Sequence, residues 1–272
     1  MDSFSAADST LYRLLLLNPW LFAAILNTAL LGIVALLPKK LLTPAGLVHA
    51  WILGVLIWGC LGWRGYLIVA FYFIVGSGVT RIGLAQKEAA GIAEKRSGAR
   101  GPENVWGSAL TASICGLGVL ISQTFAGVVT QDWIIPALLL GYVASFSTKL
   151  SDTCASEVGK AYGQRTFLIT TLQPVPRGTE GAVSLEGTLA GIVASLAIAL
   201  VGWGVGLIDG LGIGWCVVAA LIATNLESVI GATLQHRINW LTNEIVNIIN
   251  TLIGAGVAIA LILGWNYLRN LT

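Results

Sequence analysis

The residues best suited to chemistry sit in the stretch "STKLSDTCASEVGKAYG", Ser147 to Gly163, which follows the apolar run "WIIPALLLGYVASF". On a helix, Lys149, Asp152, Ser156 and Gly159 recur every three to four residues and share one face. Thr153, Glu157 and Lys160 form the adjoining ridge. Asp152 and Glu157 offer hard oxygens, and Mg²⁺ usually takes one or two carboxylates plus substrate phosphate oxygens. The same spacing also suits plain ion pairs, Lys149 with Asp152 and Glu157 with Lys160. Spacing alone leaves both readings open.

Other segments add cations, hydroxyls and amides. Lys87, Arg96, Arg100 and Arg177 are available bases, and "GTEGAVS" from Gly178 combines glycines with Thr179 and Ser184. Backbone amides, hydroxyls and a basic residue suit a polyphosphate, although a G-x-x-x-x-G-K-[ST] loop is absent. Glu227, in "TNLESVIG", lies inside an apolar run, where a carboxylate costs about 2.5–3.5 kcal/mol to insert and needs a partner in the bundle. Asn243, Asn247 and Asn250 line one helical face in "NWLTNEIVNIIN". They either hold helices together or bind phosphate or ribose oxygens.

The elements that carry these residues are membrane spans. Of 272 residues, 56% are hydrophobic and 10% charged, and the mean hydropathy is +0.83. A soluble domain carries about 25% charged residues, so the composition reads as an all-α, polytopic integral membrane bundle forming one transmembrane domain over residues 1–272. Runs near the ~20 residues that cross a bilayer fall at 18–37, 45–61, 64–82, 105–128, 133–150, 186–208, 211–232 and 246–265. Eight spans are therefore expected, the second and third joined by a tight hairpin at "GWRG". The first apolar run is too long for a signal peptide and reads as a retained span.

With eight spans, Lys39, Lys40, Arg81, Lys87, Lys95, Arg96, Arg100, Lys149, Lys160, Arg165, Arg177 and Arg237 fall on one side, against Arg13, Arg64 and Arg269 on the other. The asymmetry places the loops at about 83–104 and 151–185 in the cytoplasm and both termini opposite. Those loops hold most of the charge and are where a site is expected. Trp63, Trp106, Trp133, Trp215, Trp240 and Trp265 fall near span ends, as interfacial anchors do. No basic cluster is interleaved with aromatics, so nucleic acid is not an expected partner. Cys60, Cys115, Cys154 and Cys216 are scattered singly and read as small buried fillers. Oligomeric state is not legible.

Arg-Gly-x-Glu opens both "RGPENVWGSALTASICGLG" and "RGTEGAVSLEGTLAGIVAS", and a small acidic cluster before glycine, "CASEVG" or "LESVIG", follows each. The pattern suggests two tandem units, with Arg100 and Arg177 in matching places. A duplicated membrane protein tends to hold its site at the repeat interface.

"KEAAGIAEKRSGARGPENVWG", "KLSDTCASEVGKAYG", "PVPRGTEGAVSLEGTLAG" and "NLESVIG" together resemble the phytyl-phosphate kinase family of multispanning membrane proteins. The likeness runs from about Lys87 onward and is most specific from Lys149 to Gly191. "SDTCASEVGKAYG" is also loosely similar to the D-T-x-A-S-x-x-G-x-x-x-G signature of dolichol and phytol kinases, through Asp152, Thr153, Ala155, Ser156, Gly159 and Gly163.

The resemblance implies phosphoryl transfer from a nucleoside triphosphate, preferentially CTP, to a prenyl monophosphate in the bilayer. Phytyl phosphate would become phytyl diphosphate, a precursor for tocopherol and phylloquinone side chains. It further implies Mg²⁺ held by Asp152 and Glu157, with Glu227 as a further ligand. Lys87, Arg100 and Arg177 would hold donor and acceptor phosphates, helped by Lys149 and Lys160. Thr153, Ser156, Thr179 and Ser184 would donate hydrogen bonds, and Asn104, Asn243 and Asn247 would orient substrate. Two rivals keep the same composition: a lipid transporter or flippase, and a cytidylyltransferase making a CDP-lipid.

Overall fold

The computed structural model describes residues 18–125, 132–235 and 237–269, with the side chains of residues 95 and 97 left aside. Helix α1, Pro19–Leu36, starts at Asn18, whose side chain accepts from the Trp20 and Leu21 amides at 3.0 and 3.2 Å. Helix α2 covers Pro44–Thr80 and is capped by the Thr43 hydroxyl. At Gly62, φ is 64° and ψ is −159°, a region open essentially to glycine alone. The chain reverses there. Asn27 of α1 lies against Gly54 on one half and accepts from the Tyr66 hydroxyl on the other at 3.0 Å. At the far ends of the two halves, Gly46 and Gly76 both lie against Arg100.

The hairpin expected at "GWRG" is thus a one-residue turn. Among the described residues, seven helices are long and apolar enough to cross a membrane. The longest is folded in two, which gives the eight helical rods that the hydropathy suggests. The remaining elements are a short helix α3 (Leu84–Ala89), a 3₁₀ turn (Lys95–Gly98), α4 (Pro102–Thr124), α5 (Ile134–Tyr162), α6 (Leu185–Gly204), α7 (Gly210–Thr233) and α8 (Asn243–Arg269). A two-stranded antiparallel sheet joins β1 (Thr166–Leu168) to β2 (Ala182–Ser184), with Phe167 opposite Val183.

Helix α5 is the axis of the bundle and packs against α2, α4, α6, α7 and α8. Tyr142 to Leu150 are buried without interruption, the pattern of a helix enclosed on all sides. The Tyr142 hydroxyl donates to the Gly65 carbonyl at 2.7 Å, tying α5 to α2 just past its reversal. Neighbours come close where side chains are missing: a Cβ on Gly187 would meet the Ala155 carbonyl at 2.6 Å. All four cysteines are free and buried, as fillers should be.

The boundaries of the two expected loops differ from the sequence reading. Helix α5 does not stop at residue 150 but continues to Tyr162, since "SDTCASEVGKAY" contains no proline and its hydroxyls and charges find partners. At ~1.5 Å per residue, Asp152 lies about 27 Å along α5 from Ile134, close to the ~30 Å depth of a hydrocarbon core. The charges on α5 begin with Lys149, about 22 Å along the helix from Ile134. The later part of the segment, expected as irregular, holds the small sheet. In the segment at 83–104, Lys87 reads as an available base; instead it is 1% exposed.

Candidate active site

At the end of the bundle where the two halves of α2 open, the ends of α5 and α7 meet the starts of α4, α6 and α8 around a cavity of about 770 Å³. Helix α5 supplies Lys149, Asp152, Thr153, Ser156, Glu157 and Lys160 to its wall. Arg100 and Asn104 enter from the start of α4, and Glu227 from α7. Thr179 and Ser184 come from the turn and strand before α6, and Asn243 and Asn247 from α8. Segments far apart in sequence thus converge as the motif reading expects. Two expected members do not line the cavity, Lys87 and Arg177.

Lys149 is buried and forked. Its ammonium sits 2.5 Å from Asp152 Oδ2 and donates to Asn247 Oδ1 at 2.8 Å. Asn247 therefore holds a lysine rather than standing free for substrate. Glu157 faces a different way, because five residues of helix turn it about 140° from Asp152. It pairs with the buried Lys87, whose ammonium also donates to the Thr80 carbonyl at 2.9 Å. Lys160 stands 3.8 Å from Glu157 and 3.4 Å from Glu94. Both carboxylates assigned to one ion by the resemblance line the cavity, and Glu157 is already partnered by cations.

Glu227 enters the same cavity from α7. Its half-buried carboxylate lies within electrostatic range of Asp152 and Lys149. Among the described residues no hydrogen bond or ion pair holds it. Across the cavity, the Arg100 guanidinium stacks 4.9 Å from the centre of the Tyr72 ring and 5.8 Å from that of Phe73. Such stacking orients the fork without neutralising it. The bare surface of Gly76 makes room, since a Cβ there would meet the guanidinium at 2.7 Å. No carboxylate among the described residues pairs with Arg100.

The hydroxyls are less available than expected. Thr153 donates to the Lys149 carbonyl and Thr179 to the Pro176 carbonyl, both at 2.8 Å. Ser184 accepts from the Gly187 amide at 3.1 Å, capping α6. Ser156 stays exposed at the cavity wall. Asn104 accepts from Arg96 at 3.0 Å and from the Gly101 amide at 2.9 Å. Asn243 accepts from Gln235. Arg177 is exposed and donates to the Ala161 carbonyl at 3.1 Å, closing the end of α5.

Sequence reasoning missed Tyr72 and Ser108, which meet at 2.9 Å at the cavity wall. Tyr72 lies in "VAFYFIVG", a run that reads only as a span; its hydroxyl is the one polar atom in that run's side chains and was the available signal.

Among the described residues, seven carboxylates line the cavity (Glu94, Glu103, Asp152, Glu157, Glu180, Glu227 and Glu244) against four cations, Arg96, Arg100, Lys149 and Lys160. A polyanion would not enter such a site without further positive charge. Among the described residues no group of three metal-binding side chains converges. An Mg²⁺ ion whose shell substrate phosphates complete would need only one or two carboxylates. Asp152 and Glu227 fit as that pair.

Residues 27–255 match the family model described as "Integral membrane protein DUF92". The chain belongs to this family of polytopic membrane proteins. It is 66% identical over 253 residues to the uncharacterized membrane protein sll0875 of Synechocystis, covering 93% of this chain and 95% of that one. Protein VTE6, chloroplastic, of Arabidopsis thaliana is 45% identical over 227 residues, 80% of this chain and 64% of VTE6. The uncharacterized membrane protein MJ0933 of Methanocaldococcus jannaschii is 31% identical over 242 residues, 88% of this chain and 93% of that one. No solved structure matches the chain. The likeness to the phytyl-phosphate kinase family, read above from motifs, stands with these relatives.

Proposed function

We propose that the protein is a CTP-dependent kinase that phosphorylates a membrane prenyl phosphate, turning phytyl phosphate into phytyl diphosphate. The observation that carries this reading is the cavity, acid-rich yet holding an unneutralised stacked arginine, where the charged end of α5 leaves the hydrocarbon depth. A prenyl tail stays in lipid while a triphosphate stays in water, and this boundary is where both can meet. The likeness to Protein VTE6 supports the same substrate class.

An oxygen of the acceptor phosphate attacks the γ-phosphorus of CTP, the bond to the β–γ bridging oxygen breaks, and CDP leaves. The acceptor is already an anion, so no strong base is required, and the work is positioning and charge stabilisation. Asp152 and Glu227 would hold Mg²⁺, which neutralises phosphate charge. Arg100, fixed over Tyr72, would grip a phosphate by its fork. Lys149 would bring a second cation while holding Asp152 in place, and Lys160 a third at the rim. Glu157 would act by positioning, through Lys87 and Lys160. In this reading the cavity faces the cytoplasm, following the basic residues gathered at that end.

The test is purified protein with phytyl phosphate and CTP labelled at the γ-phosphate. Label should pass to phytyl diphosphate, with CDP as co-product. Release of pyrophosphate instead would make the protein a cytidylyltransferase, and prenyl-phosphate transport without turnover would make it a transporter. For orientation, cysteines placed at positions 95 and 165 should react with a cytoplasmic reagent, and one at 209 from the other side.

A further inference from the structure

A second hollow adjoins the cavity on its lipid side. Thr188, Gly191 and Ser195 of α6 form one wall, and Val217, Leu221 and Thr224 of α7 the other. Its floor is Ser151 and Ala155 of α5. The hollow and the cavity are continuous, since Ala155, Val183, Thr188, Thr224 and Ser228 line both. From Ser228 down to Val217 it follows α7 for about 16 Å, into the depth of the membrane.

Its residue types look too polar for a lipid groove, but their bonding says otherwise. Thr188 donates to the Ser184 carbonyl, Thr224 to that of Ala220, Ser228 to that of Thr224 and Ser195 to that of Ile192. Asn225 donates to the Leu221 carbonyl at 2.7 Å. With the hydroxyl hydrogens turned back to the helices, the walls present largely carbon and methyl surface. Gly191 lets α6 lie close against α5 at the floor, for a Cβ there would meet Ser151 Oγ at 2.9 Å. Beside the hollow, Leu189 and Val193 are 53% and 65% exposed on α6, and Leu221 39% on α7. These are surfaces that a bilayer covers.

We infer that the cleft between α6 and α7 is the lateral entrance and cradle for the isoprenoid tail of the acceptor lipid, an assignment that rests on the kinase reading above. A tail in this cleft leaves its phosphate at the Thr224–Ser228 turn of α7, the turn that carries Glu227 into the cavity. The lipid reaches the site without its tail crossing water. The cleft would also set selectivity, since a longer tail gains contacts down to Val217 that a short one does not.

The full chain in nanodiscs, irradiated with a twenty-carbon isoprenoid monophosphate bearing a terminal diazirine, tests this without needing turnover. The expected adducts lie on α6 between Thr188 and Ser195 and on α7 between Val217 and Asn225. An excess of unlabelled twenty-carbon prenyl monophosphate should suppress them about tenfold. Adducts spread over all lipid-facing helices, adducts confined to other helices, or displacement by phosphatidylglycerol instead would overturn the assignment. Correct labelling without any phosphoryl transfer would retain the cleft and sink the kinase reading. Where transfer is measured, Leu221→Trp should raise the ratio of long-chain to five-carbon acceptor KM by about tenfold. An unchanged ratio would remove Leu221 from the tail path.

Discussion

Two lysine–carboxylate pairs whose acids both sit on α5 show how the same chemistry is used in different ways one to two turns apart. Lys87 and Glu157 are sealed, 1% and 2% exposed, and the lysine is also held by the Thr80 carbonyl. Lys149 and Asp152 line the cavity beside the unpartnered Glu227, and the lysine shares its protons with Asn247. In the sealed pair every charge is spent on the fold, and the pair ties the segment after α2 to α5. In the proposed function, the open pair would keep charge for substrate or metal. A carboxylate's neighbours, more than its residue type, separate structural from functional acids.

The largest expected effect falls on the open pair. Asp152→Asn keeps shape but removes the charge a metal needs, so CTP-dependent transfer should fall roughly 100-fold or more, with added Mg²⁺ failing to restore it. Melting in detergent should fall less than for Glu157→Gln, since Lys149 keeps Asn247 as a partner and borders the open cavity. Near-normal turnover at saturating CTP would take the metal away from Asp152. Next comes the sealed pair. Glu157→Gln leaves a buried ammonium unpaired, which costs about 3–5 kcal/mol, read as a lower melting temperature. The double variant Lys87→Met with Glu157→Leu should recover most of that loss. If Glu157→Gln instead melts normally and is inactive, Glu157 returns to the metal and the contrast between the pairs fails.

The two arginines sharpen the same contrast at smaller amplitude. Arg100→Ala should raise a substrate KM about tenfold, since a hydrogen bond to a charged group contributes about 1.5–3 kcal/mol. Arg177→Ala, which removes only a bond to the Ala161 carbonyl, should leave kinetics within about twofold. Equal KM increases in both would revive the symmetrical role suggested by their shared motif. A small effect also belongs to Asn247→Ala. It frees one Lys149 proton partner and should lower kcat by a few-fold at most, about the measure of a single hydrogen bond. A loss as deep as that of Asp152→Asn would place Asn247 on substrate.

The membrane class, the hairpin and most of the cavity wall were legible because hydropathy runs, "GWRG" and the charged motifs are local signals. Residue-level roles were less so. Lys87 looked exposed because its helix is short and polar in sequence, but it packs against α5 through Glu157. Arg177 looked equivalent to Arg100, yet only Arg100 has an aromatic pair from α2 to stack on. The length of α5 was cut short because charge is usually read as the end of a span, while here the helix continues past the hydrocarbon. Tyr72 could not be found without knowing that α2 folds back beside α4. Each of these depends on contacts between distant segments, which local patterns do not encode.

The reversal at Gly62 also bears on how the chain is made. The 37 residues of α2 emerge from the ribosome as one apolar stretch, which a translocating channel could thread once or release to lipid as a pair. Threaded once, it would reverse the parity of every later segment, and Arg100 would finish across the bilayer from Leu42, its bridging partner. Inserted as a pair, the two halves enter together and later segments keep their side. Replacing Gly62 with a residue that favours a continuous helix would therefore act first on topogenesis, before any question of folding stability arises.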